Sequence, residues 1–94
     1  MPAVIVKLKV ADYAAWLPVY ESRAAARQAA GAQSSVVSQD EHDPNSVSIF
    51  LEVESLDRAR EFITSDETAQ TLKRGGVLAP PEVQYLNGSR KYPS

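Results

Sequence analysis

Apolar and polar residues alternate most clearly from Ser46 to Val53, SVSIFLEV. Val47, Ile49, Leu51 and Val53 share one side of an extended chain, and Ser48, Phe50 and Glu52 share the other, because successive strand side chains point to opposite faces. Ala3 to Val10, AVIVKLKV, has the same period. It sets Val4, Val6, Leu8 and Val10 against Ala3, Ile5, Lys7 and Lys9. Both faces begin apolar, which predicts cover on both. Ala32 to Glu41 reads as a weaker strand centred on Val36 and Val37, and Glu82 to Leu86 as a short last strand after Pro80 and Pro81. His42, Asp43, Pro44 and Asn45 signal a turn, so the second and third strands are expected to pair as an antiparallel hairpin.

Between the strands the period lengthens to that of a helix. Asp12 is a suitable N-cap for the Ala-rich stretch Tyr13 to Ala30. An interior proline loses a hydrogen bond and crowds the preceding turn. The pattern therefore predicts a short turn over Tyr13 to Trp16, then a main helix with Pro18 in its first turn, ended by Gly31. Leu56, Ala59, Phe62 and Ile63 recur at helical spacing behind a cap at Ser55 or Asp57. Ser65 and Asp66 interrupt that helix and start another, which carries Ala69 and Leu72 and ends on Lys73, Arg74 and Gly75–Gly76. Acids first, bases last and glycine after is the arrangement the helix dipole favours.

The order is β-α-β-β-α-β with the second helix broken. It predicts an α+β, ferredoxin-like domain with a four-stranded antiparallel sheet and helices on one face. Residues 1–87 form the single domain and residues 88–94 a polar tail, since 94 residues suffice for one domain only. The helices are expected on the Phe50 and Glu52 side. The stripe Val47, Ile49, Leu51 and Val53 is too apolar to stay wet, so it is expected to meet a second copy, giving a homodimer through the sheet face.

Composition narrows the function classes. Ten basic against twelve acidic residues give a net charge of −2, which argues against nucleic acid as a partner. The absence of cysteine removes disulfides, thiolate metal sites and a cysteine nucleophile, and fits a cytoplasmic setting. Met1 to Val10 reads as a strand and not as a signal peptide, and no apolar run is long enough for a membrane span. His42 is the only histidine and sits at a hairpin tip among Asp40, Glu41 and Asp43. That leaves no ligand spacing for a transition metal and no Ser–His–Asp arrangement, so no metal site is expected. Gly75–Gly76 follows a helix where a phosphate cradle would precede one.

The first helix carries the best candidates for chemistry. Tyr13, Leu17, Tyr20 and Ala24 form one stripe, with Trp16, Arg23 and Arg27 beside it. The stripe is either core with solvated arginines at its border, or an aromatic wall that orients a planar, oxygen-rich ligand. Neither arginine has a carboxylate three or four positions away. Each must be solvated, paired across the fold or paired with a ligand. Glu52, beside Phe50 on the expected helix-facing side, is either in a salt bridge or a general base taking a phenolic or α-carbonyl proton. Tyr85, on the last strand, is either core or a donor to an oxyanion. The candidate catalytic residues are thus Glu52 and Tyr20. The candidate ligand-binding residues are Tyr13, Trp16, Arg23, Arg27, Phe50 and Tyr85.

Three segments carry a resemblance. Val10-Ala11-Asp12-Tyr13 leads to Trp16, Asp43-Pro44-Asn45 forms the hairpin turn, and Gly75-Gly76-Val77 stands ahead of Pro80-Pro81-Glu82. With the element order, they make the chain similar to the dimeric α+β barrel superfamily, which includes antibiotic-biosynthesis monooxygenase-like and small polyketide-cyclase-like proteins. The resemblance implies a homodimer with sheets face to face and a pocket in each subunit between helices and sheet. It also implies, for members that are oxygenases, chemistry without metal or flavin, so no cofactor is expected. The matching segments are structural and bring no catalytic set with them. Two functions follow as expectations. One is a cofactor-independent monooxygenase or cyclase acting on an aromatic or polyketide-like molecule. The other is a non-catalytic ligand-binding or stress-associated dimer. A third expectation is that the tail docks on another protein.

Overall fold

A computed structural model describes residues 1–94. The chain runs β1 (Ala3–Lys9), α1 (Tyr13–Glu21), α2 (Ala24–Ala29), β2 (Ala32–Gln39), β3 (Ser46–Val53), α3 (Leu56–Ile63), α4 (Asp66–Arg74) and β4 (Glu82–Leu86). The sheet order is β2-β3-β1-β4 with every neighbouring pair antiparallel. β1 and β2 run the same way on either side of β3, as the ferredoxin-like arrangement requires. The expected hairpin forms, with β2 ending at Gln39 and a register shift between Ala32 and Ser34.

The register builds rows across the sheet. Val37, Ile49, Val6 and Val83 make one row, and Leu51, Val4 and Tyr85 belong to the next on the same face. This face holds the core. Val4, Val6, Leu8, Val47, Ile49, Leu51 and Val53 are buried against Trp16 and Ala59, with Leu17, Tyr20 and Ile63 packed around them. The face assignment expected from sequence is therefore inverted. Helices cover the Val47–Val53 stripe, and Phe50 and Glu52 lie on the open side. The reason is the hydrophobic effect within one chain: the amphipathic helices bury their apolar sides on the largest continuous apolar surface available. The opposite side carries Lys7, Lys9, Ser48 and Glu52 and tolerates water better. Its one apolar row is Val36, Phe50 and Ile5, with Val36 57% and Phe50 37% exposed.

Helix one also differs from expectation. α1 continues through Pro18 to Glu21, and the break falls at Ser22 and Arg23. Pro18 cannot donate to the carbonyl one turn back, which weakens the helix without ending it there. The chain instead turns one turn later. Ser22 returns its N–H to the Pro18 carbonyl at 2.9 Å and its Oγ–H to the Val19 carbonyl at 2.6 Å. The expected caps form: Asp12 Oδ1 accepts from Ala14 N–H, Ser55 from Arg58 N–H and Ser65 from Thr68 N–H. Gly31, at φ +97°, ends α2 in the left-handed region that glycine enters without strain.

The three segments that carry the resemblance meet at one end of the sheet. Asn45 Oδ1 accepts the Tyr13 N–H at 2.9 Å, and Val10 N–H donates to the Asn45 carbonyl at 2.9 Å. Ala11 N–H donates to the Gly76 carbonyl at 3.0 Å, and Val10 pairs with Val77. Together they fix where α1 leaves the sheet. The tail folds back on its own chain: Ser89 exchanges hydrogen bonds with Met1, and Lys91 Nζ lies 3.2 Å from Glu52 Oε1.

Candidate functional site

A cavity of about 110 Å³ lies between the core face of the sheet and the helices. Val6, Leu8, Ile49 and Leu51 form its floor. Trp16, Val19 and Tyr20 of α1 make one wall, and Phe62, Ile63, Thr68 and Leu72 of α3 and α4 make the other. Arg23 and Arg27 close the side where α1 breaks into α2.

The α1 wall is one continuous stack. The Tyr13 and Trp16 ring centroids are 5.8 Å apart, and those of Trp16 and Tyr20 are 5.1 Å apart with planes 30° from parallel. The Arg27 guanidinium lies 3.6 Å from the Tyr20 ring centroid, an arrangement in which the ring quadrupole attracts the cation. Arg27 Nη1 also donates to the Tyr20 carbonyl at 2.6 Å. Burial lowers the pKa of Arg27; Tyr20 opposes that shift and the neighbouring charge of Arg23 adds to it. Gly75 supports the stack from behind: a Cβ there would lie 2.9 Å from Trp16 Cδ1.

Two polar atoms in this wall have no hydrogen-bond partner. Tyr20 Oη and Arg23 Nη2 are both buried and both unpaired. Arg23 Nη2 stands 3.6 Å from Glu67 Oε2, near enough for attraction between charges and too far for a hydrogen bond. A buried unsatisfied donor costs about 1–3 kcal/mol, so two on neighbouring turns of one wall call for an explanation.

Trp16, Tyr20, Arg23 and Arg27 thus converge on one cavity. Tyr13 sits at the outer end of the stack, partly buried against the core. Phe50 and Glu52 do not join them. Both lie on the open face of the sheet, where Glu52, its side chain 20% exposed, pairs with Lys91. That placement removes Glu52 from the role of base in the cavity. Tyr85 is on the core face but packs under the Arg60 guanidinium, 4.4 Å from its ring centroid, away from the cavity. His42 is at the exposed hairpin tip, 3.2 Å from Glu41. Beside it Asp43 accepts from Lys9, the Asn45 N–H and Ser46 Oγ, with Lys9 as the main cause of its lowered pKa. No three histidine, aspartate or glutamate side chains come together to form a metal-ligand set.

Sequence reasoning missed the α4 side of the cavity. Thr68, Thr71 and Leu72 line it and are spaced i, i+3, i+4, so they share one helix face. That spacing was the available signal. Glu67 had none, because its partnership with Arg23 spans two elements far apart in sequence.

The fold and cavity define the architecture: a ferredoxin-like α+β domain with a pocket between its helices and its sheet. Several solved structures that share this fold carry the description antibiotic biosynthesis monooxygenase. A protein assigned as an antibiotic biosynthesis monooxygenase from Bordetella bronchiseptica superposes with a TM-score of 0.78 at 15% identity, covering 95% of this chain and 97% of that one. One similarly assigned from Caulobacter crescentus gives 0.73 at 18% identity, covering 95% and 90%. A variant of SnoaB, a cofactor-independent oxygenase from Streptomyces nogalater, gives 0.72 at 16% identity, covering 99% and 97%. At these identities the likeness is one of fold. No family profile matches the chain, and no curated protein matches it.

Proposed function

We propose that the protein binds a small aromatic molecule in the helix–sheet cavity and oxidises it with molecular oxygen, without a cofactor. The observation that carries this reading is the cavity itself: an apolar chamber walled by the Trp16–Tyr20 stack and bordered by the two cations Arg23 and Arg27. The fold shared with SnoaB supports it. An electron-rich ring bearing an acidic methylene reacts with oxygen directly: the methylene carbon gains one oxygen atom as a carbonyl, and the second oxygen leaves as water with the two methylene hydrogens. The positive charge of Arg23 and Arg27 at the cavity border would favour the oxyanion that precedes this step, as fixed charge beside developing negative charge does.

A second reading has its own support. No aspartate, glutamate or histidine lines the cavity, so it lacks an evident general base. On that ground the protein is a non-catalytic ligand-binding dimer, of the kind that could serve under stress. Titrating the protein with hydroquinones, anthrones and flat phenolic acids, with Trp16 fluorescence and oxygen uptake as readouts, separates the two. Quenching with oxygen consumption supports the oxygenase. Saturable quenching without it supports the binder, and no quenching by any class removes both.

In either reading the protein works as a homodimer through its open sheet face. The exposed Val36–Phe50–Ile5 row supports this, since a second sheet would cover it. Sedimentation should give a dimer that Phe50→Asp converts to a folded monomer. A monomeric wild-type protein at high concentration would contradict the assembly.

A further inference from the structure

The trench over the core face of the sheet does not end with the cavity. The cavity floor runs along β1 and β3, from Leu8 and Val6 on one strand and from Ile49 and Leu51 on the other. A second recess takes up the same face further along, floored by Val4, Leu51 and Val53. Ile49, Leu51 and Val53 are alternate residues of one strand, so the two floors share a line about 13 Å long, at roughly 3.3 Å per residue. Ala30 and Ala32, on either side of the turn from α2 into β2, and Ala59 of α3 wall the recess.

Four residues, Arg27, Leu51, Phe62 and Ile63, line both spaces and so form the neck between them. Leu51 belongs to the buried core and Ile63 packs against it, while Arg27 is held by the Tyr20 carbonyl. Phe62 is half-buried and stands outside that core cluster, with the Arg23 guanidinium carbon 5.8 Å from its ring centroid. It is the member of the neck least held by packing.

The two halves of the trench differ in chemistry. Arg23, Thr68 and Thr71 border the first and not the second. The recess is lined by apolar side chains apart from Arg27, whose guanidinium lies 3.6 Å from the centroid of the Tyr20 ring, a wall of the first cavity. The recess offers about 40 Å³, and roughly 10–15 Å³ suffices for one water, so it has room for about three groups of methylene size.

Resting on the reading that the cavity is a ligand site, we infer that the recess is a second subsite, which takes the straight alkyl arm of an aromatic ligand whose ring and oxygen group sit in the first cavity. The arm runs along Leu51 and Val53, past Phe62, to lie among Ala30, Ala32 and Ala59. A neck made of side chains admits a methylene chain more readily than a rigid fused ring, because the chain follows a bend by rotating about its single bonds between staggered states. Each methylene buried there adds roughly fourfold in affinity.

Calorimetric titration of the wild-type protein with phenol, 4-ethylphenol, 4-butylphenol and 2-naphthol tests this. 4-Butylphenol should bind roughly tenfold more tightly than 4-ethylphenol. It should also bind more tightly than 2-naphthol, which has as many carbons in a rigid frame. Ala59 lines the recess and not the first cavity, so Ala59→Leu should remove the gain from the butyl arm and leave phenol affinity unchanged. Ala59 is 5% exposed, so Ala30→Leu, at a half-buried position of the same recess, repeats the test where a larger side chain is easier to seat. Equal affinities of the ethyl and butyl compounds, or a chain-length gain that survives the substitutions, would overturn the subsite and leave the ligand site standing. Tighter binding of 2-naphthol than of 4-butylphenol would overturn the choice of arm. Binding of none of the four would overturn both the inference and the pocket reading beneath it.

Discussion

Arg27 clamps Tyr20 twice, donating Nη1 to its carbonyl at 2.6 Å while its guanidinium lies 3.6 Å over its ring. The carbonyl belongs to the last turn of α1, where it also accepts the Arg23 N–H at 3.1 Å as the helix ends. Arg27 comes from α2, seven residues on, so the clamp spans the break. The kink that opens the cavity and the stack that walls it are held by the same side chain.

Replacing Arg27 therefore loosens both. A charged hydrogen bond to a partly buried carbonyl and a cation on an aromatic face together contribute roughly 2 kcal/mol. In a domain of this size that corresponds to a drop in melting temperature of about 8–16 °C. Arg27→Met, which keeps the apolar stem, should show most of this loss by thermal unfolding. Trp16, one ring further along, should change its near-ultraviolet circular dichroism.

Gly75 makes a separate claim on Trp16. Its φ of −81° suits any residue, so backbone conformation does not require glycine there. Contact does: an added Cβ would lie 2.9 Å from Trp16 Cδ1, and Trp16 is only 3% exposed. Gly75→Ala would ordinarily stabilise by restricting the unfolded chain. Here overpacking reverses the sign and should cost about 1–3 kcal/mol in chemical denaturation, with a shift in Trp16 emission. Gly88→Ala is the comparison. That position has φ +71° and no neighbour within 4 Å, so any cost there is backbone strain and Trp16 emission should not move.

The element order, the caps at Asp12, Ser55 and Ser65, and the glycine stops were legible in the sequence because each depends on neighbours a few residues apart. Strand alternation was legible too, and it sorted Val47, Ile49, Leu51 and Val53 from Phe50 and Glu52 correctly. It did not say which set the helices cover, because a period of two defines two faces and labels neither. The apolar starts of both faces of β1 made that choice harder. The error carried Glu52 and Phe50 into the candidate site and left out Thr68 and Thr71. For Arg23 and Arg27, the lack of an intrahelical acid pointed correctly to partners beyond their own helical turns. The partners themselves, Glu67 and the Tyr20 carbonyl, depend on where α1 breaks, and Pro18 suggested a break one turn too early.

Asp43 gives the fold a dependence on pH. The Lys9 ammonium, the Asn45 N–H and the Ser46 hydroxyl all hold its carboxyl below the usual range. A carboxylate with a lowered folded-state pKa stabilises fully above its unfolded pKa of about 3.9 and loses that contribution as pH falls through the lower folded value. Asp43→Asn should therefore be less stable than wild type at pH 7. Urea denaturation from pH 7 to pH 2.5 should show the gap constant down to about pH 4 and closing below it. A gap that stays constant to pH 2.5 would mean that the charge of Asp43 contributes nothing.

Tyr20→Phe separates a group kept for structure from one kept for a ligand. The hydroxyl is buried and makes no hydrogen bond within the protein, so its removal takes no bond away. It also removes an unsatisfied polar atom from an apolar setting, where such atoms cost about 1–3 kcal/mol. The ring stays, and with it the stack on Trp16 and the contact with Arg27. The variant should then melt at the wild-type temperature or several degrees above it. Affinity for a flat phenolic acid, read by Trp16 quenching, should fall about tenfold, the equivalent of one hydrogen bond to a charged group. Gain in stability with loss of binding is the signature of a residue placed for function at the expense of the fold. A lower melting temperature with unchanged binding would instead make Tyr20 a core residue whose hydroxyl is satisfied in the folded protein.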